Sequence, residues 1–159
     1  MPRKVTKSLQ RQIDPDRKYN SVLVQRLINR SMLNGKKLAS ERMVYRALEI
    51  AAKKLKSENP LEVLEVALKN ISPNYEVKSR RVGGANYQIP FPIQGRRQEH
   101  FAFMWLVAAS RARQGMPYAE RLANEIVDAY NQTGAAFKKK EDTHRMAEAN
   151  RAFAHFARS

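Results

Sequence analysis

The residues that come nearest to a catalytic or metal-binding pattern are histidines. His144 follows Glu141 by three residues and precedes Glu148 by four, so the three side chains fall on adjoining turns of one helix, with His155 further along it. Metal sites in helical bundles use Glu-x-x-His pairs, but they need a matching pair from another helix, and the sequence offers none. These side chains, with His100, are therefore interpreted as polar surface residues. No catalytic residue, metal or cofactor is predicted.

Other frames for catalysis have equally little support. Gly83 and Gly84 lack the lysine and the downstream helix of a phosphate-binding loop, and turn glycine explains them better. The sequence has no nucleophile-elbow motif that would support a catalytic Ser-His-Asp triad. The sequence contains no cysteine, which excludes a disulfide scaffold, a thiolate zinc site and a cysteine nucleophile. An enzyme is not the expected class.

The charge of the chain predicts a polyanionic partner. Among 159 residues, Lys and Arg number 30 against 15 Asp and Glu, which gives a net charge of +15. The longest apolar run, residues 101–109, is much shorter than the roughly 20 residues of a membrane span. No apolar segment follows the basic N-terminus, so no secretory signal is expected. The chain is expected to be intracellular and bound to nucleic acid.

The excess of positive charge lies in four clusters around a nearly neutral middle. They are a basic N-terminal arm, a lysine pair at 36–37, an arginine pair at 80–81 and a lysine run at 138–140. Three of them have an ordinary alternative: lysines after a terminating glycine favour a helix C-terminus, arginines protect a strand edge, and a lysine run is a solvated surface. The joint pattern favours binding to RNA, because arginine binds phosphates and stacks on bases.

The pattern of apolar residues predicts a helical bundle with one inserted hairpin. Period-two alternation on both sides of Gly83 and Gly84 indicates two strands at about 74–93, and Pro90 and Pro92 leave one edge free. Such a ribbon is expected to project from the body and lean on a partner. The fold class is mainly α, with six helices, the protruding hairpin and an extended arm at 1–19 before a single domain at 20–159. Helices are predicted at about 20–33, 37–56, 60–70, 96–113, 117–134 and 142–157.

Four stretches of the chain resemble the small-subunit ribosomal protein seven family, in its bacterial and organellar branch. Residues 21–47 have the pattern Ser-x-Leu-x3-Leu-Ile-x6-Gly-Lys-Lys-x5-Met-Val-x2-Ala, and residues 77–84, 121–125 and 144–155 carry three further signatures. The resemblance runs from the arm almost to the last residue. It departs at residues 91–95, which are more apolar and interrupted than the family pattern, and the tail is shorter than in some bacterial members.

The resemblance implies a structural ribosomal protein rather than an enzyme. Family members bind the 3′ domain of small-subunit rRNA, nucleate assembly of the subunit head and take part in translation. They lie at the subunit interface near the exit-site tRNA and the mRNA, beside small-subunit proteins nine and eleven, and some repress their own message. The expected location is the small ribosomal subunit, in the cytoplasm or, for an organellar member, the plastid stroma. The alternatives are a basic RNA-processing enzyme and a free-standing DNA- or RNA-binding bundle.

Carried over by position, the resemblance also implies two sets of site residues. The hairpin set, which would approach tRNA and mRNA, is Lys78, Arg80, Arg81, Gly83 and Gly84. The set that would face rRNA comprises Arg3, Lys4, Lys7, Arg11, Lys36, Lys37, Arg96, Arg97, Lys138, Lys139, Lys140 and Arg145.

Overall fold

The computed structural model describes residues 12–158, and four arm residues of the predicted rRNA set, Arg3, Lys4, Lys7 and Arg11, lie outside that range. The predicted fold class is confirmed: six helices surround one core, and a two-stranded antiparallel hairpin is inserted after the third. The elements are α1 (Val22–Ser31), α2 (Lys37–Leu55), α3 (Pro60–Ile71), β1 (Tyr75–Val82), β2 (Ala85–Pro92), α4 (Arg96–Ala112), α5 (Tyr118–Tyr130) and α6 (Gly134–Ala149), followed by a 3₁₀ helix (Arg151–Arg158).

The core forms where the apolar stripes of the helices meet around α5. The predicted stripe of α2 is buried at Val44, Ala47 and Leu48, and α5 packs against α2, α3 and α4 through residues such as Leu122 and Ile126. Burial of such side chains supplies most of the stability of a domain. Among the described helices, none is long and apolar enough to cross a membrane.

Local capping residues set several helix boundaries where the sequence predicts them. The side chain of Asn59 accepts the N–H of Leu61 at 3.1 Å, and Pro60 occupies the first position of α3, where its missing N–H costs nothing. Lys56 ends α2 in the left-handed conformation, with φ of 54°.

The prediction for the last helix is wrong. It places the helix at 142–157 and the preceding helix up to Gly134, whereas α5 ends at Tyr130 and α6 begins at Gly134. The N-terminus of α6 is capped by Glu125 from the neighbouring helix, and a cap from another element leaves no local sequence signal. The predicted stripe is also wrong at Met146 and Ala149, which are exposed. The buried residues of α6 are Ala136, Thr143 and Ala147.

The hairpin ends in a tight two-residue turn. Gly83 and Gly84 both have positive φ, 57° and 90°, which is the geometry that matches the twist of a two-residue hairpin and that favours glycine. Val77 pairs with Pro90 and Tyr75 with Pro92. Because proline has no N–H, these cannot be hydrogen-bonded pairs, so both prolines face the free edge, as predicted.

The hairpin packs against other elements of the same chain. Both strands contact α6, and β2 also packs on the 3₁₀ helix. Ile89 is fully buried, and the rings of Tyr87 and Phe153 lie 4.9 Å apart. The sequence predicts a ribbon that leans on a partner. Its own chain supports it as far as Tyr87, which lies opposite Arg80, while Arg81, Gly83 and Gly84 remain exposed.

A buried carboxylate fastens the residues before α1 to the body. Asp16 is 3% exposed, and it accepts the N–H groups of Lys18, Tyr19 and Ser21 at 3.0, 2.8 and 2.9 Å and the hydroxyl of Tyr45 at 3.0 Å. Burial alone would raise the pKa of Asp16, but these hydrogen bonds outweigh it and hold the pKa below its ordinary value. The turn at 17–19 therefore has a fixed geometry where the arm joins the helices.

Candidate nucleic-acid interface

The lysine pair at 36–37 lies at the start of α2. Lys36 is the N-cap residue and Lys37 the first helical residue, and both side chains are exposed. The alternative that these lysines favour a helix C-terminus is therefore wrong: they stand at the positive end of the helix dipole. The first turn of α2 has no acidic residue and no side-chain cap. Free N–H groups, a positive dipole end and two ammonium groups together make a place where an anion is stabilised.

A continuous face joins this helix start to the start of α4. Ile13 and Asn29 border two adjoining grooves: Lys37 lines the first, and the second carries Arg30 and Arg96. The face thus runs from the N-terminus of α2 across α1 to the N-terminus of α4. It brings Lys37 and Arg96, two predicted rRNA-facing residues that lie far apart in the sequence, onto one side of the molecule.

Sequence reasoning missed two cations on this face, Arg26 and Arg30. Arg26 makes an ion pair with Glu99 of α4, whereas Arg30, within residues 12–158, has no ion-pair partner and is exposed. Their four-residue spacing on the polar side of α1 was the available signal. Beside them, burial and the charges of Arg30 and Arg97 lower the pKa of His100, which favours the neutral imidazole.

The root of the hairpin holds a buried carboxylate between two of the predicted cations. Glu76 is 6% exposed, and it pairs with Lys78 at 2.6 Å and with Arg97 at 2.8 Å. Burial would raise the pKa of Glu76, but hydrogen bonds from Lys78 and Arg97 and their charges hold it below its ordinary value. The guanidinium of Arg97 also lies over the ring of Phe101, 4.6 Å from its centre. Both cations thus stabilise the root of the hairpin, although about half of each side chain remains exposed.

The tip of the hairpin presents its predicted residues to solvent. Arg80, Arg81, Gly83 and Gly84 are all exposed, and Arg81 pairs across the strands with Asn86. None of these side chains belongs to the core. The tip can therefore meet a partner without disturbing the body.

The lysine run lies on α6 and divides into two kinds of side chain. Lys138 and Lys139 are exposed and, within the described chain, make no ion pair. Lys140 is half-buried and donates to the main-chain oxygen of Asn70 at 2.7 Å, at the end of α3. Burial lowers the pKa of Lys140. The run was predicted to precede the helix, and its position inside α6 is what separates Lys140 from its two neighbours.

His144 on α6 makes a structural contact with the root of the hairpin. Nε2 of His144 accepts the N–H of Asn74 at 3.0 Å, at the root of the hairpin, and the ring of Tyr75 lies edge-on 6.2 Å away. Burial, followed by the charge of Lys140, lowers the pKa of His144, so the imidazole is neutral and able to accept. Arg145, the next residue, is 79% exposed and lies 3.9 Å from Asp142.

The structure separates the two histidines that the sequence places on one last helix. His155 belongs to the 3₁₀ helix and not to the helix of His144, so the prediction that they share a helix is wrong. Over residues 12–158, no group of three or more His, Cys, Asp or Glu residues is arranged to hold a metal ion.

Comparison with known proteins extends over nearly the whole chain. The sequence model of the family described as ribosomal protein S7p/S5e matches residues 2–151. The small ribosomal subunit protein uS7 of Chloroflexus aggregans is 57% identical over 148 residues, which cover 93% of this chain and 94% of the relative. The uS7 protein of Thermosipho melanesiensis is 55% identical over 92% of this chain and 94% of its own length. That of Roseiflexus sp. is 52% identical over 159 residues, 99% of both chains.

Proposed function

Since the chain belongs to the ribosomal protein S7p/S5e family in its bacterial form, as a structural protein of the small ribosomal subunit, we propose that it binds the 3′ domain of small-subunit rRNA directly and nucleates assembly of the subunit head. The family is one of structural ribosomal proteins, and the chain is not an enzyme. Ribosomal RNA is the polyanion that its net charge of +15 matches.

The observation that carries this proposal is the pair of exposed lysines at the start of α2, which make no ion pair within residues 12–158, although Asp14 and Glu41 line the same groove as Lys37. Lys36 and Lys37 add two charges at a helix N-terminus that has neither an acidic residue nor a side-chain cap. Within a free protein this arrangement is unfavourable, because the dipole and the ammonium groups repel. A phosphate placed there accepts hydrogen bonds from the free N–H groups and neutralises the lysines.

Three groups of cations would then bind the rRNA backbone. The first is the start of α2, the second is Arg30 with Arg96 on the adjoining groove, and the third is Lys138 and Lys139 on α6. Contacts of this kind position a protein on RNA without reading its sequence. Shape complementarity between the folded 3′ domain and this spread of contacts would supply the specificity.

The hairpin has a separate role in this proposal. Its tip residues, including Arg80 and Arg81, would approach the exit-site tRNA and the mRNA, because they are exposed and stand away from the core. Small-subunit proteins nine and eleven are the proposed protein neighbours in the assembled head.

The test compares affinity for a transcript of the 3′ domain between two charge-matched variants. One carries Lys36→Ala and Lys37→Ala, and the control carries Lys53→Ala and Lys69→Ala, which removes two exposed lysines outside the face. The first variant is expected to bind about tenfold more weakly, with a log–log salt slope reduced by about 1.4 to 1.8, and the control to bind nearly as the parent does. Equal losses in both variants would show non-specific attraction and overturn the proposed face. A transcript of the 5′ domain bound as tightly as the 3′ domain would overturn the proposed target.

A further inference from the structure

One carboxylate joins three elements around the start of α6. Glu125 of α5 is fully buried. Its Oε2 atom accepts Nε of Arg113 at 2.8 Å and lies 2.7 Å from Nη2 of the same guanidinium, just after the end of α4. Its Oε1 atom accepts the N–H of Ala136 at 2.9 Å, in the first turn of α6. The end of α4, the middle of α5 and the start of α6 are therefore held by a single buried group.

This group replaces the local cap that α6 lacks. The side chain of Thr133, the N-cap residue, makes no capping hydrogen bond and instead donates to the main-chain oxygen of Asp128 at 3.0 Å. The Glu125 carboxylate satisfies an N–H of the first turn and places negative charge at the positive end of the dipole. The start of α6 is consequently capped by a side chain of α5 and not by a local capping side chain.

The packing at this point leaves no room for a different path. Gly134 has φ of +88°, and a Cβ added there would lie 2.8 Å from Cβ of Asp128 and 3.1 Å from Oε1 of Glu125. Glycine is therefore required both by the backbone conformation and by the close approach of α6 to α5. The Glu125 carboxylate is therefore in close contact with the first turn of α6.

We propose that the Arg113–Glu125 ion pair is a positioning element for rRNA binding, which sets the direction of α6 and so holds Lys138 and Lys139 on the RNA backbone. The inference rests on the proposed function for the part played by the two lysines. They follow the capped turn by only two and three residues, so the orientation of that turn is passed to them directly. Arg113 itself is not a phosphate contact, because its guanidinium is engaged by Glu125 and by Asp128.

A double-mutant cycle separates positioning from a general effect on stability. The four proteins are the parent, Glu125→Gln, the pair Lys138→Ala with Lys139→Ala, and the triple variant, each bound to the 3′-domain transcript well below its unfolding temperature. Glutamine keeps the shape of the side chain but turns its amide NH2 toward either the guanidinium or the N–H of Ala136, which loosens one of the two contacts. The lysine pair is expected to lower the log–log salt slope by about 1.4 to 1.8. In the parent, Glu125→Gln is expected to lower both the steepness of the salt dependence and the affinity. In the variant that already lacks Lys138 and Lys139, it is expected to lower neither.

The matched control is a substitution in α5 that leaves the Arg113–Glu125 ion pair intact. Ile126→Val shortens the fully buried side chain next to Glu125 in α5, and it should reduce the free energy of unfolding while leaving the salt slope unchanged. Equal losses for Glu125→Gln in both backgrounds would make it a stability residue only and overturn the inference. If the variant with only Lys138→Ala and Lys139→Ala binds as the parent does, the proposed rRNA contact of these lysines fails. The two failures are therefore seen in different variants.

The direction of α6 can also be measured without RNA. The chain has no cysteine, so Glu65→Cys on α3 and Glu141→Cys on α6, both exposed positions, accept spin labels selectively. Glu125→Gln is expected to shift or broaden the distance between the labels by several ångströms, whereas Ile126→Val leaves it unchanged. A folded Glu125→Gln protein with the parent distance would overturn the inference, and this measurement applies even where RNA binding is too weak to follow.

Discussion

Replacing Asp16 by alanine removes the acceptor that closes the turn before α1. The carboxylate accepts three main-chain N–H groups and one hydroxyl, and the N–H groups of Tyr19 and Ser21 belong to half-buried residues. Each donor left unsatisfied in a buried setting costs about 1–3 kcal/mol, and water can reach Lys18, which is exposed. With two such donors and some relaxation, the free energy of unfolding is expected to fall by about 3 kcal/mol.

Urea denaturation followed by circular dichroism measures this loss. With a slope of about 2 kcal/mol/M, the midpoint for Asp16→Ala is expected to fall by about 1.5 M with no change in slope. The folded pKa of Asp16 lies below its unfolded value of about 3.9, so its contribution is complete above that pH and is lost as pH falls through the folded pKa. The difference between parent and variant should therefore be constant from pH 7 to 5 and shrink below about pH 4. A variant within about 0.5 kcal/mol of the parent at pH 7, or a gap that closes already above pH 5, would refute this reasoning.

Three further variants test other parts of the fold by the same urea assay. Glu76→Gln, which breaks two ion pairs but leaves only half-exposed cations behind, is expected to cost about 1–2 kcal/mol, and a cost near zero would contradict the pairing at the hairpin root. Gly134→Ala, at φ of +88° and 2.8 Å from Cβ of Asp128, should cost more than about 2 kcal/mol and lower the Tm by roughly 4–8 °C; a neutral result would show that α6 does not need this close approach. Arg80→Ala with Arg81→Ala should stay within about 0.5 kcal/mol of the parent, because both are exposed, and a larger loss would mean that the hairpin tip supports the body.

The features that sequence reasoning predicted correctly are those set by neighbouring residues. The stripe on α2 follows helical periodicity, and Asn59 followed by Pro60 is a local start signal that the structure repeats. The turn at Gly83 and Gly84 requires positive φ at two successive positions, which glycine supplies. In each case the residues that determine the geometry lie within a few positions of it, so the sequence contains the whole cause.

The errors and omissions involve contacts between residues far apart in the chain. The start of α6 depends on Glu125, eleven residues before the N–H that it caps. Lys140 differs from Lys138 only because the end of α3 lies against it, and the residue types of the run give no sign of this. The spacing of Arg26 and Arg30 places Arg30 on the polar side of α1, but Arg30 lies beside Arg96 only because α1 packs against α4. A sequence shows which residues carry charge, and packing decides which of them share a face.

The salt dependence of binding to the 3′-domain transcript tests the central claim most directly. If the start of α2, the grooves beside α1 and the exposed lysines of α6 together neutralise about six phosphates, the logarithm of the association constant should fall with the logarithm of salt concentration with a slope of about −4 or steeper. A transcript of the 5′ domain, measured in parallel, should bind more weakly at every salt concentration. A nearly flat salt response, or equal affinity for the two transcripts, would contradict the account.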